Sequence, residues 1–269
     1  VHLNLPFADD DEFARLHAAI RLALPILPAL AASSPWADGR RRAELDHRLA
    51  LYREHQRQIP SSMGRCIPET SVSPAQYRAR VFSPMYRELA TYDALLGADA
   101  GVLAQEWLDA RAAVPRFSRS AIEIRVLDVQ ECPRADLAIA AATSTLVRKL
   151  YEAAPLRTFE TGALVAIFEA CIVAADSARI VDADYLGALG YPASSCRAGD
   201  LWRHLVDNFA RDGLVAGEML APLRVILDHG TLARRINRAV GDDRGRLTDV
   251  YRELCRCLHE NTLFVPAKD

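Results

Sequence analysis

The sequence predicts an α+β fold with far more helix than strand. Three observations predict it. Residues 121–128, AIEIRVLD, alternate with period two. A shorter alternation, VHLNL, opens the chain at residues 1–5. Most of the remainder carries apolar residues at helical spacing, and from Thr161 onward almost without interruption.

The elements follow in order. In the first strand Val1, Leu3 and Leu5 share one face and His2 and Asn4 the other, and Pro6 ends it. Asp9, Asp10, Asp11 and Glu12 then form an acidic helix start, matched to the positive end of the helix dipole. Phe13, Leu16, Ile20, Leu24 and Leu27 continue it at helical spacing, with Pro25 and Pro28 expected to kink or break it. A small-residue loop, Ala31 through Trp36, follows. The charged stretch 40–58 predicts a second helix, and 59–72, with Pro60, Gly64 and Pro68, a loop. Ser73-Pro74 begins a third helix that Pro84 should interrupt; residues 98–120 are mixed. Residues 133–153 form a helix with proline at its favoured first position. Later breaks are expected at Gly190-Tyr191-Pro192, Gly213, Gly230 and Gly241.

The chain has 269 residues, 51% of them hydrophobic, enough for one large domain with a sizeable core. We read it as a single unit, with a sheet-bearing part over 1–160 and a mainly helical part over 161–269. A net charge of −2 gives no bulk attraction to polyanions, so no nucleic-acid partner is expected. Only Lys149 and Lys268 are lysines among 33 basic residues. Individual arginines therefore remain candidates for binding carboxylate or phosphate. Six scattered cysteines without a CxxC pair suit a reducing compartment. Cys255 and His259 share a helix face but lack the second pair that a zinc site needs. The most apolar stretch, 18–32, contains Arg21, Pro25 and Pro28 and is too short to span a bilayer. With no basic leader at the start, a cytoplasmic location and no membrane partner are expected.

The sharpest candidate site is on the AIEIRVLD strand. There Ile122, Ile124 and Val126 face one way, and Glu123 and Arg125 project together from the other. A carboxylate can hold a magnesium ion through oxygen, and a guanidinium can neutralise a transferring phosphoryl group. The same spacing also describes a surface ion pair of little energetic weight. Arg111 and Arg116 are candidates for a substrate carboxylate, as is Arg53 on its charged helix; each also reads as a solvated surface arginine. His2, on the polar face of the first strand, could ligate a metal or touch a nucleotide, or simply be a strand residue. There is no Walker loop, GxGxxG, GxSxG or HExxH, so an ATP site would not be of the P-loop kind.

Taken in order, several segments resemble the second type of glutamate–cysteine ligase and its carboxylate–amine ligase relatives. They are Val1-His2-Leu3-Asn4, Ser33-Ser34-Pro35-Trp36, Arg53 with Ile59-Pro60-Ser61, Asp109-Ala110-Arg111 with Pro115-Arg116-Phe117, and Ile122 through Asp128. The stretch from Ile122 to Ala141 looks especially close to one bacterial branch of that family, and Gly199 through Leu205 fits the same branch. The EIRVLD strand is the specific element; the SSP loop and the single arginines gain weight from their order. The sequence departs from the family where Leu108 separates Trp107 from Asp109.

The resemblance implies a glutamine-synthetase-like catalytic domain, an antiparallel sheet lined by helices. It implies ATP-dependent joining of the glutamate side-chain carboxylate to the cysteine amine through an acyl phosphate, with ATP and Mg²⁺ required. By position it makes Arg125 the catalytic stabiliser and Glu123 and His2 metal ligands. Arg53 and Arg111 become substrate contacts and Asn4 a nucleotide contact. Such enzymes begin with a GxExE strand ahead of the HVHV-like one. No such strand precedes Val1, so an incomplete domain is expected, inactive without its amino-terminal acidic strands. A sibling ligase with another acid or amine, or a catalytically silent binding protein, are the alternatives. The oligomeric state is left open, a homo-oligomer included.

Overall fold

A computed structural model describes residues 1–99, 101–153 and 157–266. Lys268 and the end of the expected helical part lie outside the described residues. The chain opens with β1 (Leu3–Pro6) and α1 (Asp10–Ala23). Asp9 caps α1 by accepting the Glu12 N–H at 2.8 Å, and Glu12 reaches back to the Ala8 N–H at 2.7 Å. The two prolines break the helix as expected. A 3₁₀ turn at Leu24–Ile26 and a short helix at Pro28–Ala31 follow, both buried.

The helix expected over 40–58 is mostly absent. In its place β2 (Trp36–Ala37) and β3 (Arg40–Arg41) form a hairpin, and only α2 (His47–Tyr52) is helical. Asp38 and Gly39 take φ of 52° and 65°, the Asp-Gly turn that joins tight hairpins. Asp46 then starts α2 by accepting the Leu49 N–H at 3.0 Å. The expected loop over 59–72 holds one short helix, Pro60–Met63. Ser73 caps the next helix through the Gln76 N–H. That helix runs as Pro74–Tyr77, a π turn at Arg78–Phe82, and Ser83–Leu89. The wide turn falls just before Pro84, which cannot donate to the helical ladder.

Next come β4 (Ala113–Arg116) and β5 (Ala121–Ile124), then α3 (Pro133–Glu152) and α4 (Thr161–Ala174). Beyond them β6 (Arg179–Ile180) and β7 (Cys196–Arg197) make a second small hairpin. The remaining helices are α5 (Ala198–Arg211), α6 (Gly217–His229), α7 (Leu232–Val240) and α8 (Leu247–Glu260). Gly190, Gly213, Gly230 and Gly241 all take positive φ, so the expected breaks fall where the backbone needs glycine.

The principal sheet is antiparallel in the order β1-β5-β4, with β5 central. β4 escaped the sequence reading because Pro115 lies inside it. On an edge strand a missing N–H is tolerated. Leu3 pairs with Ile124 and Leu5 with Ile122, so the apolar face of the sheet is continuous. Ile122 and Ile124 are wholly buried in the main core with α1, α3 and α4. α7 and α8 close a separate smaller core around Ile236, Val240, Cys257 and Phe264, with Trp36 packed against it. No helix among the described residues is long and apolar enough to cross a membrane.

Candidate functional site

Strand parity places Asn4, Glu123 and Val114 in register across the polar face of the sheet. Glu123 and Arg125 do project together: Arg125 Nε donates to Glu123 Oε1 at 2.7 Å. Neither faces bulk water, with 5% of Glu123 and 9% of Arg125 exposed. Arg125 Nη1 donates to the carbonyls of Asp109 at 2.6 Å and Trp107 at 3.1 Å. The WLDAR segment thus fixes the guanidinium through backbone oxygens, which no strand-level reading reveals.

The second Glu123 oxygen accepts from Arg116 Nη1 at 3.2 Å. His2 Nδ1 lies 3.4 Å from Glu123 Oε1. Burial tends to raise the Glu123 carboxyl, but hydrogen bonding and charge from Arg125, with His2 and Arg116, hold it below the ordinary carboxylate range. Burial lowers the His2 imidazole against the opposing pull of Glu123, which favours a neutral ring at pH 7. Asn4 is exposed beside them on β1.

Tyr52 borders the same guanidinium and donates to the Arg111 carbonyl at 3.2 Å. Burial pushes its hydroxyl up to about 12, against the pull of the Arg125 charge. Arg48 donates to Asp128, which also accepts the Ser33 N–H at 2.9 Å and the Ser34 hydroxyl at 2.8 Å. The SSP loop therefore anchors the segment that leaves β5. Asp46 lies against this carboxylate with 0% exposure and one oxygen unpartnered. Burial and the Asp128 charge keep it protonated well above the usual range. Arg48, Tyr52, Arg116 and Asp128 complete the site from positions far apart in sequence. Tyr52 and Arg48 carried no signal beyond lying on a charged segment.

The other expected contacts lie elsewhere. Arg111 is buried and forked onto Glu69 at 2.6 and 2.8 Å, with Asp109 at 3.0 Å. A substrate carboxylate would reach it only by displacing Glu69. Arg53 caps the end of α2 and pairs with Glu169 of α4.

The fit to a magnesium ion is partial. Mg²⁺ asks for near-octahedral oxygen coordination. Both Glu123 oxygens already accept from arginines, and His2 offers one nitrogen. Among the described residues no three His, Cys, Asp or Glu side chains converge on a common point. The residues present do not make a complete Mg²⁺ site.

The fold is an α+β scaffold, a small antiparallel sheet with a buried carboxylate–guanidinium pair on its polar face, wrapped by helices. The comparison with known families agrees: the model of glutamate-cysteine ligase family 2 matches residues 1–253, and the chain belongs to that family. An uncharacterized protein of Archaeoglobus fulgidus is 36% identical over 154 residues, 57% of this chain. The match spans 40% of that protein's length.

Proposed function

We propose that this chain carries part of the catalytic body of an ATP-dependent carboxylate–amine ligase, with glutamate and cysteine as acid and amine. The observation that carries the reading is Arg125, almost fully desolvated and held by Glu123 and the carbonyls of Trp107 and Asp109. A guanidinium fixed before the reaction stabilises developing negative charge without reorganising, and low exposure strengthens it.

In the proposed reaction a carboxylate oxygen of the acid attacks the terminal phosphorus of ATP, and ADP leaves. The amine nitrogen then attacks the acyl carbon, phosphate leaves, and an amide forms. Arg125 neutralises charge on the transferring group, and Glu123 orients Arg125. His2 and Asn4 border the same face, where the nucleotide would lie. The cytoplasm, which supplies ATP, is the proposed location.

The test is phosphate release by the full-length protein with ATP, glutamate and cysteine, against a panel of other amino acids. Arg125→Ala should lower turnover by roughly 100-fold or more. Near-normal turnover would remove Arg125 from the mechanism, and release with a different pair alone would reassign the substrates. A second reading, a binding protein on the same scaffold, draws on the commitment of both Glu123 oxygens to arginines. It predicts nucleotide or amino-acid binding with no phosphate release.

A further inference from the structure

The start of α2 and the exit of β5 bring two carboxyl groups together away from water. Asp46 is 0% exposed and Asp128 2%, and their side chains lie within hydrogen-bonding reach of each other. Their surroundings differ. One Asp128 oxygen takes the Ser33 N–H and the Ser34 hydroxyl, and the other takes Arg48. Asp46 Oδ1 takes the Leu49 N–H at 3.0 Å, while Oδ2 is buried and has no partner.

Charge decides which of the two holds a proton. Carboxylates in contact do not both ionise at neutral pH unless enough cation faces them. From α2 comes Arg48, with a side chain 39% exposed, while the neighbouring His47 is turned to Glu44 at 3.4 Å. The SSP loop offers only neutral hydroxyls. From α4 come the carbonyls of Ile172 and Val173, which take the N–H groups of Asp46 and Leu45. The strand exit presents the Arg125 carbonyl, 3.4 Å from both terminal nitrogens of Arg48. The Val1 amino group donates to the Leu127 carbonyl at 2.9 Å. Arg48 is thus the one guanidinium paired with either carboxyl among the described residues. A proton on Asp46 Oδ2 removes the second buried charge, gives that oxygen a partner and gives Asp128 a further donor. A proton on Asp128 instead would leave Asp46 Oδ2 bare.

The pair sits where α2 is fastened. The N–H groups of His47 and Arg48 donate to the carbonyl and hydroxyl of Ser34, at 3.2 and 3.0 Å. From this start α2 carries two side chains to Arg125: Arg48 to its carbonyl, and Tyr52 to its guanidinium.

We propose that Asp46 is the acid of an acid–carboxylate pair whose single proton bridges to Asp128, and that this bond is a latch holding α2 over the candidate site. Base that removes the proton leaves two carboxylates against one guanidinium, and the start of α2 comes away from the exit of β5. Asp46 acts through α2 and is a positioning residue. The latch does not rest on the ligase reading.

Three measurements on the purified chain test it. Infrared spectra in D₂O at neutral pH should show the carbonyl stretch of a protonated carboxyl, and Asp46→Asn should remove it. Any contribution from Asp109 and Asp136, whose carboxyls burial also pushes up, stays in that variant. Unfolding in urea gives the proton count. Unfolded Asp46 loses its proton at the ordinary 3.8 while the native acid keeps it, so stability falls as pH rises above that value. Relative to Asp46→Asn, the wild-type unfolding constant should rise about tenfold per pH unit until the native acid ionises too. At neutral pH Asp46→Asn is therefore the more stable protein. Amide exchange in α2 reads the latch itself. Asp46→Asn, which keeps a donor and an acceptor, should protect α2 as wild type does. Asp46→Ser keeps an oxygen for Leu49 but none for Asp128, and α2 should exchange about tenfold faster. A carboxyl band that survives Asp46→Asn overturns the proposal. So do parallel pH profiles for that variant and wild type, its failure to fold, or equal protection of α2 in all three proteins.

Discussion

His17 is a side chain whose surroundings only the folded chain reveals. It sits on α1 with 1% exposure, stacked on Phe13 at 5.5 Å and edge-on to Tyr77 at 5.6 Å. Neither ring nitrogen has a partner. Burial, helped by the Arg21 charge and opposed by Glu69, lowers it from 6.5 to about 3. The native state therefore keeps the ring neutral while the unfolded chain protonates below 6.5, so stability falls as pH drops through that value. The loss continues toward about pH 3, where the native ring also binds a proton. Between pH 6.5 and 5 the unfolding free energy in urea should fall by about 2 kcal/mol, and His17→Phe should flatten that slope. The depressed carboxyls of Glu69 and Glu123 act at lower pH, where protonation near 4.5 begins to withdraw their stabilising pairs. An unchanged slope in His17→Phe would mean the ring finds a proton acceptor in solution. Glu123 and Arg125 were legible because strand parity dictates their common side. His17 was not, because the helical spacing does not say that Tyr77, sixty residues on, closes over it.

At the scale of elements, β5 organises the protein. It is the central strand, its apolar side wholly buried and its polar side carrying the candidate site. Ile124→Ala should cost about 2–5 kcal/mol in denaturant unfolding, since it empties a site with 0% exposure. A cost below about 1 kcal/mol would show that the sheet can collapse onto the gap. The strand, α1 and α3 were predictable because their periodicity and caps agree with their tertiary roles. The hairpin at Trp36 to Arg41 was not. Its charged composition reads as a solvated helix, and its turn is recognised only when Asp38-Gly39 is weighed above the flanking arginines. β4 was hidden by Pro115, which only an edge position excuses.

At the scale of the whole molecule, one buried pair ties the site to the distant end of the described chain. Glu131, just past β5, and Arg235 of α7 are both 0% exposed by side chain and form an ion pair. Glu131 also accepts the Phe264 N–H at 3.0 Å, and Arg235 donates to the Phe264 carbonyl and to that of Gly230. The smaller core of α7 and α8 is thereby fastened to the exit of β5. Removing one partner strands a buried charge, so Arg235→Met should cost about 3–5 kcal/mol. The double variant Glu131→Leu with Arg235→Met should recover part of that loss in thermal unfolding. Additive losses would show that the pair is not coupled.

The sequence by itself determined the α+β class, the family, and the side of one strand from which Glu123 and Arg125 emerge. Each of these is written in local periodicity or in the order of short motifs, which need no knowledge of the fold. Only the tertiary structure decided what the charged groups meet. It gave Arg111 to Glu69, Arg53 to Glu169, and the carbonyls of Trp107 and Asp109 to Arg125. The partner of a charge is chosen by chain segments far away in sequence, and a periodic pattern carries no information about them.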